Sequence, residues 1–294
     1  MKNEVFPGNH LMIKVIQAKK ILTMNPRNPI ATHMSILNGR ILQVGSIEKI
    51  APVEKYELDD SFKDLIIMPG LVEGHSHLFE GTLWNKLYCG YFDRQKPDGS
   101  IEKGTKNVNE LISNLKHAED KIKDSKTALS GWGLDPIYFS DKNLDRVILD
   151  KVSEKRPIGI LHASGHKLNV NSLGLKLAGF LRTGINHDGL PLGKDGIPTG
   201  EIRGAETIAL VTKHVGLGKD WLSGDAEGLR NFGKICARAG VTTATDLANL
   251  QTDETVEMML KVTSEANFPA RIVSFRYMQG ISPKELIPKV LKLK

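Results

Sequence analysis

Leu65-Ile-Ile-Met-Pro-Gly-Leu-Val-Glu-Gly-His-Ser-His77 is the stretch on which the reading of the fold turns. Leu65 to Met68 is a short unbroken apolar run closed by Pro69-Gly70, the pattern of a strand buried on both faces in a parallel sheet covered by helices. Side chains at i and i+2 of a strand share a face. His75 and His77 therefore converge on one point just past a strand end, where parallel α/β folds build their sites. Two neutral imidazoles aimed at one point make half a metal site. In isolation an H-x-H pair is more often two solvated or structural histidines.

Upstream, Met12 to Leu22 is rich in Ile, Val and Leu, and His33–Leu37 and Arg40–Val44 flank Asn38-Gly39, a strong two-residue hairpin signal. Residues 1–64 read as a small β-domain. Downstream the pattern changes to β/α alternation. Asn107 is placed to cap a helix through about Lys123, and Asn143 to start another carrying Leu144, Val147, Ile148 and Val152. Pro157–His162 reads as a second buried strand and 188–200 as a loop. Asp225–Ala239 reads as a helix stopped by Gly240, Val241–Asp246 as a third strand, Thr252–Ala266 as a helix and Arg271–Arg276 as a fourth strand.

Four strands separated by helical segments make half of an eight-fold β/α barrel, which takes about 250 residues in full. Residues 65–294 number 230, and about 80–156 is occupied by an insertion between strands one and two. The fold expected is therefore α/β: a partial (β/α)8 TIM-like barrel of about four strands on residues 65–294, beside the small β-domain.

Composition removes several function classes. The chain has 40 basic and 34 acidic residues, a net +6, spread as singles and pairs among acids, and aromatics are only 6%. That is unlike the clustered basic and aromatic surface of a nucleic-acid binder. No apolar run reaches the roughly 20 residues of a membrane span, and no signal peptide is read at the start. A cytoplasmic protein with neither nucleic-acid nor membrane partners is expected. Cys89 and Cys236 stand far apart, outside any C-x-x-C pair, and read as buried thiols. Phosphate-cradling glycine loops and a G-x-S-x-G elbow are lacking.

The string I-I-M-P-G-L-V-E-G-H-S-H resembles the first-strand signature of the amidohydrolase superfamily. Gly131-Trp-Gly-Leu-Asp-Pro136, Pro157 through His162-Ala-Ser-Gly-His166, Asn171-Ser172, Gly196-Ile-Pro-Thr-Gly200 and Ala239-Gly-Val-Thr-Thr243 are similar, in order and spacing, to its family 3 branch. That branch includes N-substituted formamide deformylases. The N-terminal hairpin region resembles the small β-sandwich that the superfamily builds beside its barrel.

The resemblance implies a divalent metal, Zn first with Mn or Fe as alternatives, held in part by His75 and His77. It implies hydrolysis of a non-peptide carbon–nitrogen bond in a small amide, formamide or cyclic amide. The superfamily's other ligands, a carboxylated lysine, two histidines and an aspartate on later strands, would fall beyond Lys294. The chain is thus expected to represent the N-terminal portion of such an enzyme, with weak metal affinity, little turnover and strand edges open to self-association or to a complementing C-terminal half. A non-catalytic binding protein that keeps the pocket is the alternative.

Further pocket candidates follow. His166 with Asn171 is expected to line the substrate pocket, against a local account in which His162 is a core histidine and His166 a loop histidine. Trp132 is either a pocket wall or packing under a loop. Glu201 and Glu206 are pocket acids or solvated helix-start carboxylates. Asp246 ends the third strand at the proper end for a site. His10, His33, His117, His187 and His214 read as surface residues.

Overall fold

Asn38 and Gly39 both take left-handed backbone angles, φ 52° and 71°, the pair that a two-residue hairpin turn requires. A computed structural model describes residues 12–50, 55–139, 144–218, 224–249, 251–276 and 282–292; His10 and Asn143 lie outside them. The chain divides into two compact units, Met1–Leu71 and Val72–Lys294, so the division falls later than the 64/65 boundary expected.

The first unit holds β1 (Ile13–Leu22), β2 (Ile30–Leu37), β3 (Arg40–Gly45), α1 (Ile47–Ile50) and β4 (Tyr56–Ile67). They form one sheet in the order β3-β2-β1-β4, with β4 parallel to β1 and the other pairs antiparallel. Ala18, Ile21, Ala31 and Met34 make its core. The Leu65–Met68 run requires a correction. It is not a buried barrel strand: Leu65 and Ile66 are 54% and 60% exposed and belong to the end of β4, where Ile66 and Ile67 pair with Lys20 and Ile21. A short apolar run carries no period, so sequence does not say which sheet it joins.

The second unit opens within β5 (Leu71–Ser76), which carries His75 and leads directly into His77, then α2 (Phe79–Leu83), β6 (Leu87–Tyr88) and a ribbon of β7 (Arg94–Gln95) with β8 (Ile101–Glu102). Next come α3 (Val108–Lys121), β9 (Leu129–Leu134), α4 (Arg146–Asp150), β10 (Ile158–His162), β11 (Lys167–Val170), α5 (Ser172–Leu177), β12 (Glu201–Arg203) and α6 (Ala205–Thr212). The chain continues through α7 (Ala226–Arg238), β13 (Val241–Asn249), α8 (Asp253–Thr263), β14 (Arg271–Arg276) and α9 (Pro283–Lys292). Among the described residues no helix is long and apolar enough to cross a membrane.

The β/α alternation is present, but these strands fall into two larger sheets instead of one continuous curved sheet. One has the order β12-β11-β10-β9-β6, parallel from β6 to β10 and antiparallel beyond; the other is β14-β13-β5. The supposed insertion thus contributes two strands, β6 and the wholly buried β9, to the principal sheet.

The helices start where their caps dictate. Asn107 accepts the Glu110 amide at 2.9 Å while Glu110 accepts the Lys106 amide at 2.8 Å, and Asp225 and Thr252 cap α7 and α8. Asp145 caps α4, two residues after the start expected at Asn143. Around the sheets, Leu161, Leu168, Leu175 and Ile208 form one core, Leu111, Leu115, Leu149 and Ile158 a second, and Leu78, Leu229, Phe232 and Val262 a third.

Two contacts lock local geometry. A methyl group on Gly81 would sit 1.9 Å from the Gly228 carbonyl oxygen, so α2 and α7 meet backbone to backbone. Arg156, buried just before β10, donates to the carbonyls of Ile122, Asp124 and Thr127, and its Nε lies 3.5 Å from Glu119.

Candidate metal centre and adjoining cavity

His75 is exposed on β5 and His77 is half-buried just beyond it. Their ring centroids lie 5.6 Å apart with planes at 84°, and His77 stacks on Phe79 at 5.1 Å. The His77 Nδ1 atom is buried without a hydrogen-bond partner, an unusual state for a buried polar atom. Backbone anchors fix the pair: the His75 amide donates to Glu73 at 2.8 Å, Ser76 Oγ donates to the Thr245 carbonyl and the Leu78 amide to Asp246 Oδ1 at 3.3 Å.

Asp246 is thereby reassigned. It is 1% exposed and absent from the cavity wall, and its other oxygen accepts from Asn249 at 2.6 Å and Ser274 at 3.2 Å. It clamps the turn after His77 to β13 and β14. The two rings suit two ligands of one ion, yet among the described residues no three His, Cys, Asp or Glu side chains gather into a metal site. A catalytic zinc takes about three protein ligands, so these residues fit half of the group.

His77 also lines a cavity of about 520 Å³ that extends along Phe79, Trp132, Leu161, His162 and His166. Such a volume suits a small organic ligand. Trp132 is 5% exposed and forms one wall, with Trp84 edge-on at 5.0 Å, Tyr88 at 5.1 Å and the Arg94 guanidinium 5.3 Å from its ring centre.

Asn171 and Glu201 are not part of this wall. Asn171 is wholly buried and caps α5: its Oδ1 accepts the amides of Ile158 and Gly174, and its Nδ2 donates to the carbonyls of Ser153 and Arg156. Glu201 pairs with Arg203 at 2.6 Å and Lys167 at 3.6 Å beside a separate small void. Burial opposes its ionisation, but the two cations outweigh it and hold the carboxyl below its ordinary range. Glu206 begins α6 and likewise lies off the wall.

His162, assigned to the core by the local account, is buried and also reaches the cavity. Asn169 donates to the Leu144 carbonyl at 2.6 Å, which leaves its Oδ1 to accept from His162 Nε2. Burial pushes the His162 pKa down, keeping the ring neutral. Sequence reasoning missed Glu80, Arg94 and Lys213 on the wall. Glu80 was within reach, being three residues past His77 on α2. Arg94 lies on a ribbon within the supposed insertion, and nothing in its local pattern marks it. Burial raises the Glu80 carboxyl, with Arg94 working against that shift.

The sequence profile of the amidohydrolase family, family 3 branch, matches residues 63–294. The chain belongs to that family. This amidohydrolase chain is 29% identical over 251 residues to Protein LONG AFTER FAR-RED 3 of Arabidopsis thaliana, covering 82% of the present chain and 39% of the plant protein. Its fold is similar to an uncharacterized metal-dependent hydrolase of Pyrococcus horikoshii OT3, with TM-score 0.61, 16% identity and coverage of 96% of this chain and 50% of that one. A second such hydrolase, from Pyrococcus furiosus, matches with TM-score 0.58, 18% identity and coverage of 96% and 52%. The amidohydrolase chain thus spans about half the length of these structures, and less of the plant relative.

Proposed function

We propose that this chain carries the first-strand part of a metal-dependent hydrolase centre acting on a non-peptide carbon–nitrogen bond in a small amide, formamide or cyclic amide. The observation that carries the reading is the buried, unpartnered Nδ1 of His77 beside the His75 ring. His75 and His77 would hold the ion, Zn before Mn or Fe. When bound, a divalent ion lowers the pKa of water and polarises a carbonyl oxygen. The chain's own residues do the rest: Asp246 holds the backbone that presents His77, and Phe79, Trp132 and Leu161 form an apolar wall that excludes water from a bound amide. His162, neutral and anchored through Nε2, and His166 supply polar contacts on the same wall. In this reading the two sheets are the opening portion of a β/α barrel.

Two ligands bind an ion weakly, so the full chain takes up Zn with low affinity and turns over N-formyl and N-acyl amides slowly or not at all. Isothermal titration with Zn, Mn and Fe(II) tests this, with His75→Ala and His77→Ala each abolishing uptake. Unchanged metal uptake in both variants refutes the proposal. The want of a third ligand among the described residues favours a second reading, a binding protein that keeps the pocket without the chemistry. It differs in that ligands bind equally well with and without metal.

A further inference from the structure

Two cations and an indole N–H stand on the cavity wall. Arg94 presents five N–H donors and Lys213 three, and the Trp132 Nε1–H is buried without an acceptor. Among the described residues Glu80 is the one carboxylate on the wall. Among the described residues Arg94 makes no ion pair, although two acids stand beside it. Its sequence neighbour Asp93 is held by Lys103 at 2.6 Å, and Glu102, its partner across the ribbon, lies 3.8 Å from Lys96. Both acids are engaged by lysines, and Arg94, exposed, lies over the indole of Trp132 with Glu80 as the acid that shares the wall with it. The ribbon is tied down, since Arg238 of α7 donates to the carbonyls of Lys96 at 2.6 Å and Gln95 at 3.1 Å.

We propose that the ligand of this cavity is a carboxylate with an aromatic or branched apolar body, and that Arg94 is the residue that reads the carboxylate. A planar guanidinium matches a carboxylate in bidentate geometry, and the apolar wall of Phe79, Leu83, Trp132, Leu161 and Ile208 takes the apolar body. Lys213 adds positive potential from α6's end of the wall. The inference rests on the reading of this cavity as the substrate site, and it narrows the amides considered above to those that are also acids.

The test uses the full chain freed of metal by chelation, so that it does not depend on a bound ion. Titration with 3-phenylpropionate and with its neutral amide, 3-phenylpropanamide, is followed by calorimetry and tryptophan fluorescence. The acid is expected to bind about tenfold or more tightly than the amide, the range of a charge-assisted hydrogen bond. Arg94→Gln removes the preference, Arg94→Lys keeps part of it, and Lys213→Gln weakens the acid a few-fold. Equal binding of the two probes, no saturable binding of either, or a preference that survives Arg94→Gln overturns the proposal. His75→Ala, off the cavity wall, is read separately: it loses metal and keeps the acid preference. Failure of the metal reading therefore leaves a distinct result from failure of this one.

Discussion

Asn171→Ala separates a scaffold role from a pocket role at a residue for which sequence favours the pocket. Four bonds meet its wholly buried amide: the Ile158 and Gly174 amides at 3.0 Å each, and the Ser153 and Arg156 carbonyls at 2.9 Å each. A buried hydrogen bond contributes about 1 kcal/mol net, and a stranded partner costs more. The Gly174 bond is also the cap of α5, for which replacement by Ala costs about 1 kcal/mol. Allowing for water reaching some of the stranded groups, the expected loss is about 3–5 kcal/mol, a large share of the roughly 5–15 kcal/mol that holds a domain folded. Urea unfolding followed by far-ultraviolet circular dichroism measures it, while metal and probe titrations on the folded fraction stay unchanged. Asn171→Asp keeps the two accepted bonds and sets a carboxylate against two carbonyls, so it also destabilises. A loss below about 1 kcal/mol, or a fully stable variant that no longer binds ligand, refutes the scaffold role.

Gly81→Ala places a methyl 1.9 Å from the Gly228 carbonyl oxygen and 2.7 Å from the Phe232 nitrogen. Because backbone must part, it costs about 3 kcal/mol or more on the same urea assay. Burial pushes the thiols of Cys89 and Cys236 up to about 12 and about 11, so neither reacts with a disulfide reagent at pH 8 until the chain unfolds. Prompt labelling of the native protein would contradict that. His162 has its pKa lowered in the folded state by burial, so its contribution is complete above the ordinary histidine value near 6.5 and falls as acid protonates the unfolded chain first. Thermal unfolding from pH 7.5 to 5 shows a declining midpoint, and His162→Gln flattens the slope; an equal slope in both proteins would remove the assignment.

From Asp225 onward the fold was legible because each boundary has a local chemical cause. Asp225 and Thr252 accept amides at helix starts, Gly240 takes φ 71° at a helix end, and the β-branched run from Val241 becomes a strand. Elsewhere local signals point the wrong way. Leu129–Leu134 contains two glycines that resemble a turn, yet it is buried throughout because parallel strands flank both its edges and its side chains enter two packed cores. β11 and β12 are too short to show a period, and their antiparallel pairing is a tertiary outcome. That the rings of His75 and His77 stand together follows from two-residue spacing. The reassignment of Asn171 and Asp246 was not, since a buried amide or carboxylate with a full set of backbone partners has the same one-letter code as a pocket residue.

The burial of Arg156 has a bearing on proteolysis. The carbonyls that accept from its two terminal nitrogens come from three points along 122–127, with Glu119 at the end of α3 alongside. That turn cannot fray on its own without stranding a cation in the interior. Lys121, Lys123 and Lys126, for all their appeal to trypsin, are guarded by the stability of the whole unit, and cleavage there reports global opening instead of surface breathing.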